Sequence, residues 1–104
     1  MWIYNLTAQV EIDIVDDWRN WLLQFVHEKF ESSQFCQTPK LLWVRSQNSP
    51  EGQSFAVQLF FDSAKSLQLF LSHHDGKIEE ASKEKFQTKA IYFGSLLEEQ
   101  PWEL

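Results

Sequence analysis

The sequence predicts an α+β domain in which two main helices cover one face of a four-stranded antiparallel sheet. Three observations carry this reading. Several stretches alternate apolar and polar residues, others repeat apolar residues every three or four positions, and their order is strand, helix, strand, strand, helix, strand.

The first strand spans Trp2 to Ile12. Trp2, Tyr4, Leu6, Ala8, Val10 and Ile12 fall on one side, and Ile3, Asn5, Thr7, Gln9 and Glu11 on the other. Asp13, Asp16 and Asp17 then supply carboxylates suited to the positive end of a helix. Trp18, Trp21, Leu22, Phe25, Val26 and Phe30 continue at helical spacing, so the first helix is expected over about Val15 to Glu31. Ser32-Ser33-Gln34 breaks that pattern, and Pro39 marks the entry to a second strand over Lys40 to Gln47. Ser49-Pro50-Glu51-Gly52 is a turn, and Ser54 to Phe61 alternates again through Phe55, Val57, Leu59 and Phe61. These two strands are expected to form a hairpin.

Asp62 or Ser63 caps a second helix with Leu67, Phe70, Leu71 and His74 on one stripe. Gly76 splits or kinks it, and helical spacing resumes through Ile78, Ala81 and Phe86. The last strand is expected over Thr88 to Leu97, leaving Glu98-Glu99-Gln100-Pro101-Trp102-Glu103-Leu104 as a tail. The β-α-β-β-α-β order is that of ferredoxin-like domains.

Composition sets the outer limits. A chain of 104 residues with 43% hydrophobic side chains, three Gly and three Pro is expected to be one globular domain over residues 1 to 104. Fifteen acidic against nine basic residues give a net charge of −6 and an acidic protein, which argues against nucleic acid or an anionic membrane as partner. Cys36 is the only cysteine, so no intrachain disulfide forms. The opening residues lack a basic leader and no segment has the length of an apolar membrane span, so the expected location is cytoplasmic.

Met1-Trp2-Ile3-Tyr4-Asn5-Leu6-Thr7, Pro39-Lys40-Leu41-Leu42, Phe55-Ala56-Val57-Gln58 and the run from Phe86 to Glu98 resemble a family of short bacterial proteins of unknown function, over nearly the whole chain. That family is similar to the dimeric α/β-barrel superfamily, whose ferredoxin-like protomers pair through their sheets. The resemblance implies a fold and a homodimer. It brings no assigned catalytic residues with it, and the superfamily's cofactor-independent monooxygenases and haem-degrading enzymes are fold analogies.

No constellation specifies a reaction. His73 and His74 are consecutive, so on a helix their side chains diverge by about 100° and do not chelate one ion. They suit a helix C-terminus instead, and His27 reads as part of the polar side of the first helix. No metal and no cofactor are expected. Cys36, between Phe35 and Gln37, reads as a small packed residue rather than a nucleophile. The acid pairs Asp16-Asp17, Glu79-Glu80 and Glu98-Glu99 read as solvated faces or helix-end charges.

The remaining clue is the sheet face that the helices leave uncovered. If Leu42 and Val44 join Tyr4, Leu6, Val10, Phe55, Val57 and Leu59 against the helices, the opposite face gathers Ile3, Asn5, Thr7, Gln9, Leu41, Trp43, Arg45, Ala56, Gln58 and Phe60. Its apolar part is large for a surface in water and its polar part large for a dry core. The expected interface residues are Ile3, Leu41, Trp43, Phe60 and Phe93, with Ile91 as an alternative to Phe93, and Trp43 and Phe60 as anchors. Asn5, Thr7, Trp43, Arg45 and Gln58 are the candidate ligand-binding residues. The leading expectation is a dimeric barrel protein of unknown biochemical function that binds a small organic ligand between protomers. A monooxygenase-like enzyme using Asn5 and Arg45, and a structural protein-interaction module, are the alternatives.

Overall fold

The computed structural model describes residues 1–103. Four strands, β1 (Trp2–Glu11), β2 (Lys40–Trp43), β3 (Gly52–Phe61) and β4 (Ala90–Glu98), form one sheet in the order β2-β3-β1-β4 with every neighbouring pair antiparallel. Helix α1 (Val15–Lys29) links β1 to β2, while α2 (Ala64–His74) and α3 (Lys77–Phe86) link β3 to β4. No helix of the described residues is long and apolar enough to cross a membrane.

Local chemistry sets the element ends. Ser63 caps α2, its hydroxyl accepting from the Ser66 backbone N–H at 3.1 Å. Gly76 stands at φ 78°, a left-handed conformation that costs glycine little, and the second helix is accordingly split there into α2 and α3. Helix α1 keeps Asp16 and Asp17 in its first turn and stops at Lys29, two residues earlier than the apolar spacing suggests, because Phe30 turns extended to put its ring into the core.

The helix side of the sheet holds the core. Register places Tyr4 opposite Leu59, Leu6 opposite Val57 and Ala8 opposite Phe55, and all six are buried. Trp18, Leu22, Phe30, Leu67, Phe70, Ile78 and Phe86 meet them from the helices. Trp18 rather than Trp21 is the fully enclosed tryptophan; Trp21 is half-buried against Phe25 and Phe86. The Trp18 indole N–H donates to the Tyr92 hydroxyl at 2.8 Å, and that hydroxyl donates to Ser82 Oγ, so one polar chain ties α1, β4 and α3 together. Each polar atom taken from water there has a partner, which is what burial of such groups requires.

The second strand departs from expectation twice. It ends at Trp43, where a short turn over Arg45–Gln47 begins, rather than at Gln47. Its faces are also the reverse of those expected. Lys40 pairs with Gln58, Leu41 with Val57, Leu42 with Ala56 and Trp43 with Phe55, which sends Leu41 and Trp43 to the helix side and Leu42 to the open side. Val44 lies outside the strand altogether. The cause is the two-residue side-chain period: a shift of one position moves every side chain to the other face, and consecutive Leu41 and Leu42 leave that choice to the pairing with β3.

Candidate functional site

The antiparallel register turns the open sheet face into crossing rows. One row runs Lys40, Gln58, Asn5 and Ser95 across all four strands, polar from edge to edge. On one side of it lies the row Leu42, Ala56, Thr7 and Phe93, and on the other Phe60, Ile3 and Leu97. Beyond Leu42 and Phe93 comes Ser54, Gln9 and Ile91. A polar band thus lies between apolar ones. Gln58 Nε2 donates to Asn5 Oδ1 at 3.2 Å, and Asn5 Nδ2 donates to Thr7 Oγ1 at 3.4 Å. These bonds hold the middle side chains in fixed orientation with hydrogen-bonding capacity left over, since an amide offers two donors and two acceptor sites.

The apolar residues around this band are unequal. Phe93 is 70% exposed and Ile91 52%, with Leu42 and Leu97 also exposed. Phe60, expected as an open anchor, is 4% exposed within the single chain and carries the Lys40 ammonium 5.7 Å from its ring centre. It is therefore already covered, and Phe93 is the large apolar group that this face leaves in water. Ser54 is likewise covered, its hydroxyl donating to the Gln47 carbonyl at 3.1 Å beneath the Arg45–Gln47 turn.

Of the candidate ligand-binding residues, Asn5, Thr7 and Gln58 come together on this face and Trp43 and Arg45 do not. Trp43 lies at the end of β2 on the helix side, its indole N–H donating to Asn48 Oδ1 at 2.8 Å. The Arg45 guanidinium stacks over that indole at 4.2 Å, and Asn48 Nδ2 donates to the Arg45 carbonyl at 2.9 Å. This is a self-contained cluster at the sheet edge, one turn beyond the strand. Leu41, expected at the interface, packs on the core instead. Lys40 and Ser95, which the sequence alone does not single out, complete the polar row.

A second concave feature is an open cleft of about 1010 Å³ between α1 and the β2 edge. Leu22, Val26, Phe30, Phe35, Leu41 and Val57 make its apolar floor, and His27, Glu28, Lys29, Glu31 and Lys40 stand around it. The loop from Ser32 to Pro39 closes one end. Cys36 in that loop is exposed, not packed, because Phe35 takes the inward place against Phe30, Phe61 and Phe70.

The titrations that the fold displaces by burial belong to the helix layer. Burial pushes the Tyr4 hydroxyl up to about 12, with Glu79 and Asp75 adding to the effect. Burial raises Tyr92 as well, against the opposing hydrogen bonds to Ser82 and Trp18. His74 is held below the usual imidazole range by desolvation, then by Lys77 and His73. Its ring lies 4.9 Å from both Phe30 and Phe70, a packing role. Among the described residues no three His, Cys, Asp or Glu side chains converge as metal ligands would.

Residues 1–100 match the family model described as a domain of unknown function, DUF4286, and the chain belongs to that family. Neither a curated protein nor a solved structure matches the chain.

Proposed function

We propose that this protein is a homodimer of ferredoxin-like protomers, joined through their open sheet faces in the manner of a dimeric α/β barrel, that binds a small organic molecule between the two sheets. The observation that carries the reading is the polar row Lys40, Gln58, Asn5 and Ser95 set between apolar rows that end in exposed Leu42, Phe93 and Leu97. Apolar bands meeting their copies exclude water, while the polar band leaves a floor of amides, a hydroxyl and an ammonium that need partners. Those donors suit a partly apolar molecule bearing a carboxylate or carbonyl oxygen.

The fold reading has its own support. Two β-α-β crossovers interleave so that β1 and β3 are central and β2 and β4 are edges, with all helices on one side. Size also suits a dimer. Strands of ten, four, ten and nine residues present a face of roughly 540 Å² in projection, using about 4.8 Å between strands and 3.4 Å per residue, close to the lower end of one side of a stable interface, about 600 Å². Binding is favoured over oxygenase chemistry because Arg45, the cation that the enzymatic alternative needs, stacks on Trp43 off this face.

Denaturing the purified protein and analysing the released small molecules by mass spectrometry tests the reading. Wild type is expected to release one organic compound in a fixed ratio to dimer, and an Asn5→Leu, Gln58→Leu double variant to release at most about a tenth as much. Equal recovery from both, or none from wild type taken from its own cells, contradicts the binding role.

A further inference from the structure

The end of the chain bears on the cleft beside β2. The Glu99 backbone N–H donates to the Met1 carbonyl at 2.8 Å, which ties the chain to the start of β1, and beyond it Gln100, Pro101, Trp102 and Glu103 are exposed. Trp102 is 101% exposed, touching nothing. A large aromatic ring wholly in water, on a segment with Glu98, Glu99 and Glu103, has the composition of a ligand looking for an apolar slot with cations near it.

The cleft has that chemistry. Its floor is Leu22, Val26, Phe30, Phe35, Leu41 and Val57; Lys29 at its edge makes no ion pair among the described residues, and Lys40 stands where the cleft meets the open face, its ammonium over the Phe60 ring. Of its two carboxylates, Glu28 accepts from Gln24 at 2.9 Å and Glu31 caps the turn over Ser32–Gln34, so each is engaged locally. Two lysines and two glutamates leave the cleft formally neutral on a chain of net charge −6, so it repels an acidic segment less than the surface at large.

Topology decides whose tail arrives. Strands β1 and β2 run parallel, and β4 runs opposite to both, so β2 begins and β4 ends at the same end of the sheet. The two lie on opposite edges, three strand spacings or about 14 Å apart. A twofold axis along the strands between two facing sheets lays the partner's β4 over β2 with like ends together. The partner's tail then starts about 10 Å above the mouth of the cleft, the usual spacing of stacked sheets. From Glu99, Trp102 is three residues on, about 10 Å when extended, which brings its backbone to the mouth of the cleft and leaves the indole to reach the floor.

We infer that the C-terminal segment of one protomer docks in the α1–β2 cleft of the other, with Trp102 on the apolar floor and the tail carboxylates against Lys29 and Lys40. The site is incomplete in one chain and is filled by a second copy. This rests on the sheet-to-sheet dimer proposed above, and in particular on the twofold axis running along the strands.

Cys36 makes the inference testable, because it is exposed in the loop that closes the cleft and is the only cysteine. A Glu103→Cys variant of the full chain, oxidised gently at low micromolar concentration, is expected to form a 36-to-103 disulfide between chains. It runs as a dimer on non-reducing gels and is identified by mass spectrometry of the linked peptides. Cys36→Ser in the same background should abolish the band, and Leu23→Glu, at the cleft wall, should slow cross-linking at least tenfold. Light scattering under reducing conditions reads the dimer separately. A reduced dimer that gives no 36-to-103 link overturns the tail inference and leaves the dimer standing. A 36-to-103 link within one chain assigns the cleft to the protomer's own tail and likewise overturns it. A monomer by scattering removes the dimer reading, and the inference with it.

Discussion

The two faces of one sheet are built from neighbouring residues of the same strands, yet they obey different rules. On the helix side, Leu6, Ala8 and Val10 of β1 are at most 1% exposed, and the polar atoms of Trp18, Tyr92 and Ser82 are bonded to one another. On the open side, Ile3, Asn5, Thr7 and Gln9 alternate with them, and rows of apolar and polar side chains lie next to each other with Phe93 and Ile91 in water. The first face packs within one chain, apart from the cleft beside β2 and the buried His74 Nδ1, which has no hydrogen-bond partner. The second leaves large apolar side chains and spare hydrogen-bonding groups in water, which is what the proposed pairing between copies would cover.

The largest effect that separates the faces is a buried charge. Leu6→Asp is expected to cost several kcal/mol, enough to unfold a domain of this size, whereas Thr7→Asp on the adjacent position should change monomer stability by no more than about 0.5 kcal/mol. Urea denaturation of the two variants compares them directly, and equal loss in both breaks the distinction between faces.

Next comes the buried polar chain. Tyr92→Phe removes the hydroxyl shared by Trp18 and Ser82 and leaves two enclosed polar atoms without partners, at an expected cost of about 2 to 4 kcal/mol, roughly 1 to 2 for each. Gln58→Leu on the open face leaves the amide of Asn5 free to reach water, so its denaturation midpoint should stay near that of wild type.

A smaller and pH-dependent effect comes from Tyr4. Its ordinary value of 10.0 is pushed up to about 12 in the fold, so unfolding releases a proton in that window. Stability is fully present below pH 10 and falls as pH rises from 10 to 12. Tyr4→Phe should flatten much of that slope in urea midpoints measured between pH 9 and 12; an unchanged slope assigns the effect to Tyr92 and other groups.

How much of this was legible in the sequence follows from where alternation is unambiguous. Strands β1 and β3 have long runs with one consistent parity, so their faces are readable residue by residue, and Ser63 and Gly76 announce a cap and a break by their chemistry. Strand β2 is four residues long and contains Leu41 and Leu42 in succession, so nothing local fixes its parity, and alternation alone puts Trp43 and Arg45 on the open face where Leu42 belongs. Asn5, Thr7 and Gln58 are readable as neighbours because they fall on the parity opposite the core residues of β1 and β3. Lys40 and Ser95 join them only through register, and the cleft beside α1 exists only once Phe35 turns inward and Pro39 brings β2 alongside the helix.

An interface between copies on the open face, as proposed, is probed with the least disturbance by Phe93→Glu, because that side chain is 70% exposed in the single chain. Sedimentation equilibrium at high micromolar concentration should give twice the chain mass of 12.4 kDa for wild type. The Phe93→Glu variant should give the single-chain mass with an unchanged circular dichroism spectrum, since truncating or charging an interface anchor typically costs association 2 kcal/mol or more, about thirtyfold in dissociation constant. A wild-type monomer at that concentration, or a Phe93→Glu variant that stays fully dimeric, contradicts the account.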